Sequence, residues 1–574
     1  MFVKMFVFEE TKMPRLVSIT IEGFRSISDQ VVINFPEKKP VVFIGENNSG
    51  KSNIIRAIEL MFGEFHPKYK KLEDYDHYGR DTSNQITIEA TVTGFSERLG
   101  RRGEFSCGGF KFEAKKGEET KFSAIQAEDK NENKYVSSAL REELLCVVVN
   151  SEQNLNFQLS YSSKYSLLSK VTKAFHDKLT GDKKRVEKLK SFFESIKATF
   201  MEVEEFNVFN ENMSSIASTV LSNMTHALAF NFSAYDPSNY FKTLRVHPTE
   251  HGETRAFEEL GTGQQQILAL SFAHAYAKSF LGQGLIFILD EPEAHLHPLA
   301  QKWLAKKMFK MAEDGLQIIL TTHSPYFVDL NYLEGINLIR KDSETTLNIN
   351  QNASSLFNHC LNTASNPQKT NEETIVPFYA NNSTSHILSG FFANIIVLVE
   401  GPTEELALPI YFEKLGFDPT EFGVEIIGVG GKGNLAKWWR LFTLYQIPTF
   451  ICFDNDYKED DEKGFKRKDA LKAIGIKDEE LDGILGIETW SISDSFCVFG
   501  TDFETTMRAS FADYSDIEKQ TIETLGSSSK NLIARETARR IDLGQVSDGR
   551  KKMEALIRQI RSSSNPETFA CQSR

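Results

Sequence analysis

Eight consecutive residues, Gly45-Glu46-Asn47-Asn48-Ser49-Gly50-Lys51-Ser52, constrain this chain more than any other feature. They fit the pattern GxxxxGK[ST] at every defined position, directly after the apolar run 41–44 and before a stretch with helical apolar spacing at 52–62. In that setting the pattern demands strand, tight turn and helix in immediate succession. The glycines let backbone N–H groups wrap phosphates at the positive end of the helix. Lys51 is expected to reach the β- and γ-phosphates of ATP and Ser52 to hold Mg²⁺, while Gly45, Asn47, Asn48, Ser49 and Gly50 shape the cradle.

A matching acidic strand end comes later in the chain. The run 285–289 stops at Asp290-Glu291-Pro292, where Asp290 points to the metal and Glu291 to the attacking water. His323 follows another apolar run, 318–322, at a place where an imidazole can touch a γ-phosphate. Apolar runs alternating with helical stretches are the grammar of βαβ units and imply a parallel sheet. Upstream, Gly261-Thr262-Gly263 resembles the signature loop of ABC ATPases, with Thr262 where serine is usual. That resemblance implies that Gly263 serves the ATP of a second subunit. Gln153, after the apolar run 144–149, is the candidate Q-loop glutamine. The opening Ile19 to Arg25 resembles SMC and RecF heads more than transporters.

A second constellation begins at residue 394. The run 395–399 ends in Glu400, with Glu404 one helical turn on. The run 424–427 enters a turn containing Gly428, Gly430, Gly431 and Gly433, and the run 449–453 ends in Asp454-Asn455-Asp456. An open parallel sheet aims such strand ends at one edge. Oxygen ligands without His or Cys suit Mg²⁺ or Mn²⁺, and clustered carboxylates can hold two such ions for attack on a phosphodiester.

Glutamate, glycine-rich turn and DxD in this order resemble the Toprim domain of topoisomerases, primases and nucleases. Behind an SMC-like head, the whole chain resembles the overcoming-lysogenization-defect (OLD) family, which includes the Gabija A subunit and retron-associated effectors. The resemblance implies a DNA endonuclease acting in anti-phage defence, with ATP as a gate. It further implies Glu400, Glu404, Asp454 and Asp456 as metal ligands, Asp502 and Glu504 as an additional acidic motif, and Lys552 as the lysine that stabilises charge on the scissile phosphate; Lys551 competes for that role. Implied partners are DNA and further copies of the chain in a dimer or higher oligomer, with a retron reverse transcriptase and its msDNA, a helicase, or no further partner as the open alternatives.

The expected fold is therefore α/β, an ABC-type ATPase head with a helical insertion, followed by a Toprim Rossmann-like domain. The N-terminal lobe is assigned to 1–159, a helical insertion serving dimerisation to 160–235, and the C-terminal lobe to 236–360. A linker rich in Asn, Ser and Thr is assigned to 361–392, and the Toprim domain with C-terminal helices to 393–574.

Bulk properties agree. A chain of 574 residues exceeds what one core usually organises. Six cysteines without a CxxC pair read as reduced, buried thiols, and without an apolar stretch long enough for a membrane span or an export signal the expected location is cytoplasmic. The net charge of −13 leaves phosphate contact to local basic patches such as 183–185, 463–468, 535–540 and 550–552. Two rivals stand beside this reading. One is a RecF- or SMC-like repair ATPase with an inert Toprim domain. The other is a topoisomerase-like strand transferase, for which no nucleophilic tyrosine is identifiable.

Overall fold

The computed structural model describes residues 13–150, 179–212, 249–275 and 284–563, apart from short internal stretches. Three larger sheets organise them. The first is antiparallel and begins with Arg15–Glu22, which lies between Val31–Asn34 and the long strand Ile86–Arg98. The second carries the phosphate loop. Its spatial order is Thr345–Asn350, Ile336–Asp342, Val41–Ile44, Gln317–Thr321, Gly284–Asp290 and Leu144–Asn150, and all neighbours are parallel except the first pair.

Both faces of this second sheet are covered, as the continuous apolar runs require. Alternate residues go to opposite sides. Phe43, Ile286, Ile288 and Ile319 join the core around the helix Lys51–Phe62 and the antiparallel sheet. Val42, Ile44, Phe287 and Leu320 face the helix Pro298–Glu313 through Leu304 and Met308. Gln317 ties the two sheets together, accepting from Leu16 N at 2.8 Å and donating to Leu16 O at 2.7 Å.

The third sheet has the order Val424–Gly428, Ile395–Val399, Thr449–Asp454, Phe496–Phe499 and Ser491–Ile492, parallel up to the last antiparallel edge. Its strand ends bring residues 400, 428 and 454 to one edge. Helices Pro402–Lys414, Lys432–Leu444, Phe503–Ser510 and Asp548–Ser562 pack around it.

The segment read as a linker folds differently. Helix Ala353–Thr363 precedes it, and Glu372–Asn382 and Ser385–Leu388 lie inside it. Two of the polar residues that suggested a linker, Asn371 and Thr384, are helix caps, as is Asn352 ahead of it. Asn352 accepts from Ser355 N at 2.8 Å, Asn371 from Glu373 N at 2.8 Å and Thr384 from Ile387 N at 3.2 Å. Leu356, Cys360, Ile375, Tyr379, Leu388 and Phe391 are buried in a core continuous with both the ATPase sheet and the third sheet. A packed joint therefore connects the two units.

In the expected insertion, Lys183–Met201 is helical, while 213–235 lies outside the described residues. Five of the six cysteines are described, and all five are buried and unbridged. Among the described residues no helix is long and apolar enough to cross a membrane.

Candidate functional sites

The phosphate loop is shaped for a ligand with negative charge. Gly45 has φ 142° and Gly50 has φ 110°, and a Cβ at these positions would lie 2.1 Å from Ile339 O and 2.3 Å from Thr346 Oγ1. Both glycines are therefore required twice, by conformation and by space. Asn48, with φ 63°, completes the turn. Lys51 is buried and donates to Gly45 O and Glu46 O, each at 2.8 Å, so it spans the loop that phosphates would fill. Burial lowers its pKa, against the opposing pull of Glu291, Asp290, Glu293 and Glu46. Ser52 sits exposed on the first turn of the helix, and Ser49 Oγ is buried without a hydrogen-bond partner among the described residues.

The acidic strand end does not adjoin the phosphate-loop strand, because Gln317–Thr321 lies between them. Thr321 uses that place. Its hydroxyl donates to Asp290 Oδ1 at 2.5 Å and accepts from Glu291 N at 2.9 Å. Glu291 has φ 51°, a conformation that side-chain-bearing residues rarely adopt and that clusters at functional sites. Its Oε1 lies 3.6 Å from His323 Nε2. Burial and then the Lys51 charge lower the His323 pKa, against Glu291 and Asp290. Glu293 holds this loop from beneath, accepting from Thr322 Oγ1 at 2.9 Å and from His323 N at 2.5 Å. Sequence reasoning missed Thr321 and Glu293. The one available signal was a second glutamate two residues past Glu291.

Gly263 opens a helical turn whose packing is set by Leu296: a Cβ at 263 would lie 2.2 Å from Leu296 Cδ2. None of the main charges acting on Lys51 comes from this loop. Thr262 and Gln153 lie outside the described residues.

At the edge of the third sheet, the structure brings Glu400, Glu404, Asp454 and Asp456 together and adds Lys432. The glycine-rich turn makes this possible. Gly430 and Gly431 take φ 73° and 120°, and Gly431 N donates to Glu400 O at 2.8 Å, which clips the turn to the first strand end. Lys432, the next residue, points into the acids: its Nζ lies 3.6 Å from Glu400 Oε2 and pairs with Asp456 Oδ1.

Glu404 is 3% exposed, and its pKa is pushed up to about 7 by burial first and by Glu400 and Glu504 next. Asp454, 7% exposed, is pushed well up by burial, then by Glu404, Glu400 and Glu504, with Lys432 opposing. Among the described residues Asp454 Oδ1 has no hydrogen-bond partner. Such a cluster is electrostatically unfavourable as it stands and is relieved by a cation.

Among the described residues no three His, Cys, Asp or Glu side chains are already arranged around an ion. Lys432 instead links Glu400 to Asp456. The donor chemistry nevertheless suits a hard divalent cation, being oxygen throughout.

The remaining acidic motif divides. Glu504 acts on Glu404 and Asp454, whereas Asp502 caps the helix Phe503–Ser510 by accepting from Thr505 N at 2.6 Å. Lys552 lies half-buried on the helix Asp548–Ser562. Among the described residues the lysine paired with the carboxylates is Lys432, which lies between Gly431 and Gly433 in the glycine-rich turn and which sequence reasoning missed.

Between the two acids of the DxD loop, Asn455 is locked. Its Nδ2 donates to Leu485 O at 2.6 Å, and Arg467 donates to its carbonyl at 3.0 Å and to its Oδ1 at 2.8 Å. Arg467 is itself buried against Asp461, with Nε 2.9 Å from Oδ2.

Comparison with known proteins gives the same two parts. The family described as AAA domain, putative AbiEii toxin, Type IV TA system matches residues 41–329, half of the chain. The family described as Overcoming lysogenization defect protein-like, TOPRIM domain matches 391–456. The chain is 25% identical to the OLD nuclease of Thermus scotoductus, covering 82% of this chain and 89% of that protein. It is 23% identical to the Old nuclease of Escherichia phage P2, covering 77% of each, and 24% identical to Endonuclease GajA of Bacillus cereus, covering 80% of this chain and 77% of that one. An ATPase domain and a TOPRIM domain together imply nucleotide and divalent-metal use. With the AAA-domain family matched over half its length, the chain belongs to that family, and it carries an OLD-like TOPRIM domain behind the ATPase and resembles OLD nucleases over most of its length.

Proposed function

We propose that this chain is an ATP-gated, divalent-metal-dependent DNA endonuclease. The observation that carries the reading is the buried acidic edge of the third sheet, where Glu404 and Asp454 hold raised pKa values and Asp454 Oδ1 lacks a partner among the described residues. The names of its relatives, OLD nuclease and Endonuclease GajA, support the nuclease part.

In this reading Glu400, Glu404, Asp454, Asp456 and Glu504 hold one or two Mg²⁺ or Mn²⁺ ions. Such ions, when bound, polarise the phosphodiester and make water a nucleophile at neutral pH. Asp502 fixes the helix that presents Glu504. Lys432, released from its acidic partners, stabilises charge on the scissile phosphate, with Lys552 or Lys551 as a second cation.

At the other site Lys51 neutralises the β- and γ-phosphates, Ser52 and Asp290 hold the nucleotide's Mg²⁺, Glu291 orients water and neutral His323 donates to the γ-phosphate. Gly263 serves the site of a second copy, so ATP binding draws two chains together. Phage defence is the proposed setting, with DNA as substrate and a reverse transcriptase or helicase as partner. An intact set of acids disfavours the rival with an inert Toprim domain.

Asp454→Ala tests this directly. It should abolish nicking of plasmid DNA in Mg²⁺ or Mn²⁺ while phosphate release from ATP continues. Cleavage at the wild-type rate would overturn the reading.

A further inference from the structure

The strand Val424–Gly428 lies at an edge of the third sheet and runs into the glycine turn that carries Lys432. Its position therefore sets where the Lys432 ammonium stands among the acids. The segment 386–394, at the end of the joint, holds this strand along its length. Asn394 N donates to Gly423 O at 2.8 Å, just before the strand, and Ser389 Oγ lies 3.0 Å from Glu425 Oε1 within it. At the far end the grip is indirect: His386 Nε2 lies 3.1 Å from Glu405 Oε1, and Glu405 Oε2 accepts from Gly428 N at 3.1 Å.

Glu405 follows Glu404 in the chain but turns to the backbone of the neighbouring strand end. A Cβ at Gly428 would stand 2.2 Å from Glu405 Oε2, so any side chain there would displace the carboxylate. Because His386 is exposed, its pairing with Glu405 is worth little as a charge pair. What it contributes is position.

The same segment packs on the ATPase. Ser385–Leu388 lies against Pro325–Phe327, the turn that follows His323 and Ser324, and Phe327, Leu388 and Phe391 share one core. Residues 391–394 form one wall of a cavity of about 160 Å³ whose other wall includes Gly45, Glu46 and Ser49 of the phosphate loop. The Phe391 ring lies 5.6 Å from that of Phe442 and 5.0 Å from that of Tyr445, so it also meets the C-terminal end of the helix that Lys432 begins. One short segment thus touches the phosphate loop and the His323 loop on one side, and the elements that place Lys432 on the other.

We propose that Glu405 is a positioning residue of the nuclease site, fixing the glycine turn through Gly428 N, and that the segment 386–394 passes the state of the phosphate loop to that turn. The proposal rests on the nuclease reading and names how its ATP dependence reaches the acidic edge. Packed interfaces shift between discrete arrangements more readily than they deform, and the cavity gives the segment room for one such shift when phosphates fill the loop. A displaced strand Val424–Gly428 carries with it Gly431, whose N–H is bonded to Glu400 O, and Lys432.

The test uses the full chain, Glu405→Ala, Glu405→Gln and a paired variant, His386→Ala with Ser389→Ala. Plasmid nicking is followed against Mg²⁺ concentration, with and without ATP, beside phosphate release. Glu405→Ala should raise the Mg²⁺ needed for half-maximal nicking severalfold with little change in the saturated rate, a split that mere loss of stability does not produce. Glu405→Gln should recover most of it, since an amide oxygen also accepts from Gly428 N. The paired variant should keep phosphate release and nicking without ATP, and lose most of the effect of ATP on nicking. Hydrogen exchange gives a reading that needs no cleavage. A non-hydrolysable ATP analogue should change exchange at 428–431 severalfold in the wild type and not in the paired variant.

A wild-type Mg²⁺ requirement in Glu405→Ala, or a Glu405→Gln variant no better than Glu405→Ala, would overturn the positioning role. An undiminished exchange response in the paired variant, or none in the wild type, would overturn the route through 386–394. A wild-type chain that nicks no DNA would overturn the nuclease reading instead, and the exchange comparison still decides the route.

Discussion

Lys432 Nζ stands 3.6 Å from Glu400 Oε2 and pairs with Asp456, so the acidic edge carries its own counter-ion. The ammonium opposes the charges that push Asp454 upward, and a divalent cation would compete with it for the same carboxylates. Replacing Lys432 with Met should therefore lower the stability of the metal-free protein near neutral pH and enlarge the rise in Tm on adding Mg²⁺. Thermal unfolding with and without Mg²⁺ checks this. An unchanged Mg²⁺-induced shift would show that Lys432 and the metal do not compete.

Glu404 predicts a pH dependence with a definite sign. Its pKa rises from 4.5 to about 7 on folding, so the native state binds the proton more tightly than the unfolded chain. This contribution to stability is complete below 4.5 and is lost as pH rises through about 7. A metal needs the ionised form, so Mg²⁺ affinity should climb over the same window and then level off. Titration calorimetry at a series of pH values reads the curve, and Glu404→Gln should flatten it.

Thr321 clamps both groups of the acidic pair, Asp290 through its hydroxyl proton and Glu291 through its oxygen. Thr321→Val keeps the shape and removes both bonds, leaving half-buried partners unsatisfied at about 1 kcal/mol. ATP turnover should drop with little change in nucleotide affinity. Glu291→Gln should likewise stop turnover while binding persists. Phosphate release beside ATP titration separates the two effects.

Arg340 is a physical link between the two sites. It donates to Gln446 O at 2.9 Å and Ala393 O at 3.4 Å, and Glu46 of the phosphate loop acts on its charge. Ala393 lies two residues before the strand Ile395–Val399, which leads into Glu400. Arg340→Ala should leave ATP hydrolysis and basal DNA nicking in place but weaken the effect of ATP on nicking severalfold. Nicking assays with and without ATP measure that ratio, and a wild-type ratio would exclude this route.

Arg467 donates to Asn455 in the acidic loop, and it is buried against Asp461. Arg467→Ala leaves Asp461 buried without its partner and should cost about 3–5 kcal/mol. Asn455→Ala is the milder probe. It should raise the Mg²⁺ concentration needed for half-maximal nicking, with little change in the rate at saturating Mg²⁺.

Much of this protein was legible in the sequence because its key elements are local. Residues 45–52 specify strand, turn and helix by glycine conformation and helix polarity, and Glu400, Asp454 and Asp456 end apolar runs that can only be buried strands. The Asn- and Ser-rich stretch at 361–392 misled, because Asn371 and Thr384 cap helices whose apolar faces are visible only when a neighbouring core is present to receive them. Sequence order likewise could not show that Gln317–Thr321 lies between the phosphate loop and Asp290, which is what gives Thr321 its place. Nor could it single out Lys432 over Lys552, or tie Arg467 to Asn455. Those choices depend on which side chains meet across elements far apart in the chain, and burial and electrostatics settle them only once the sheets have formed.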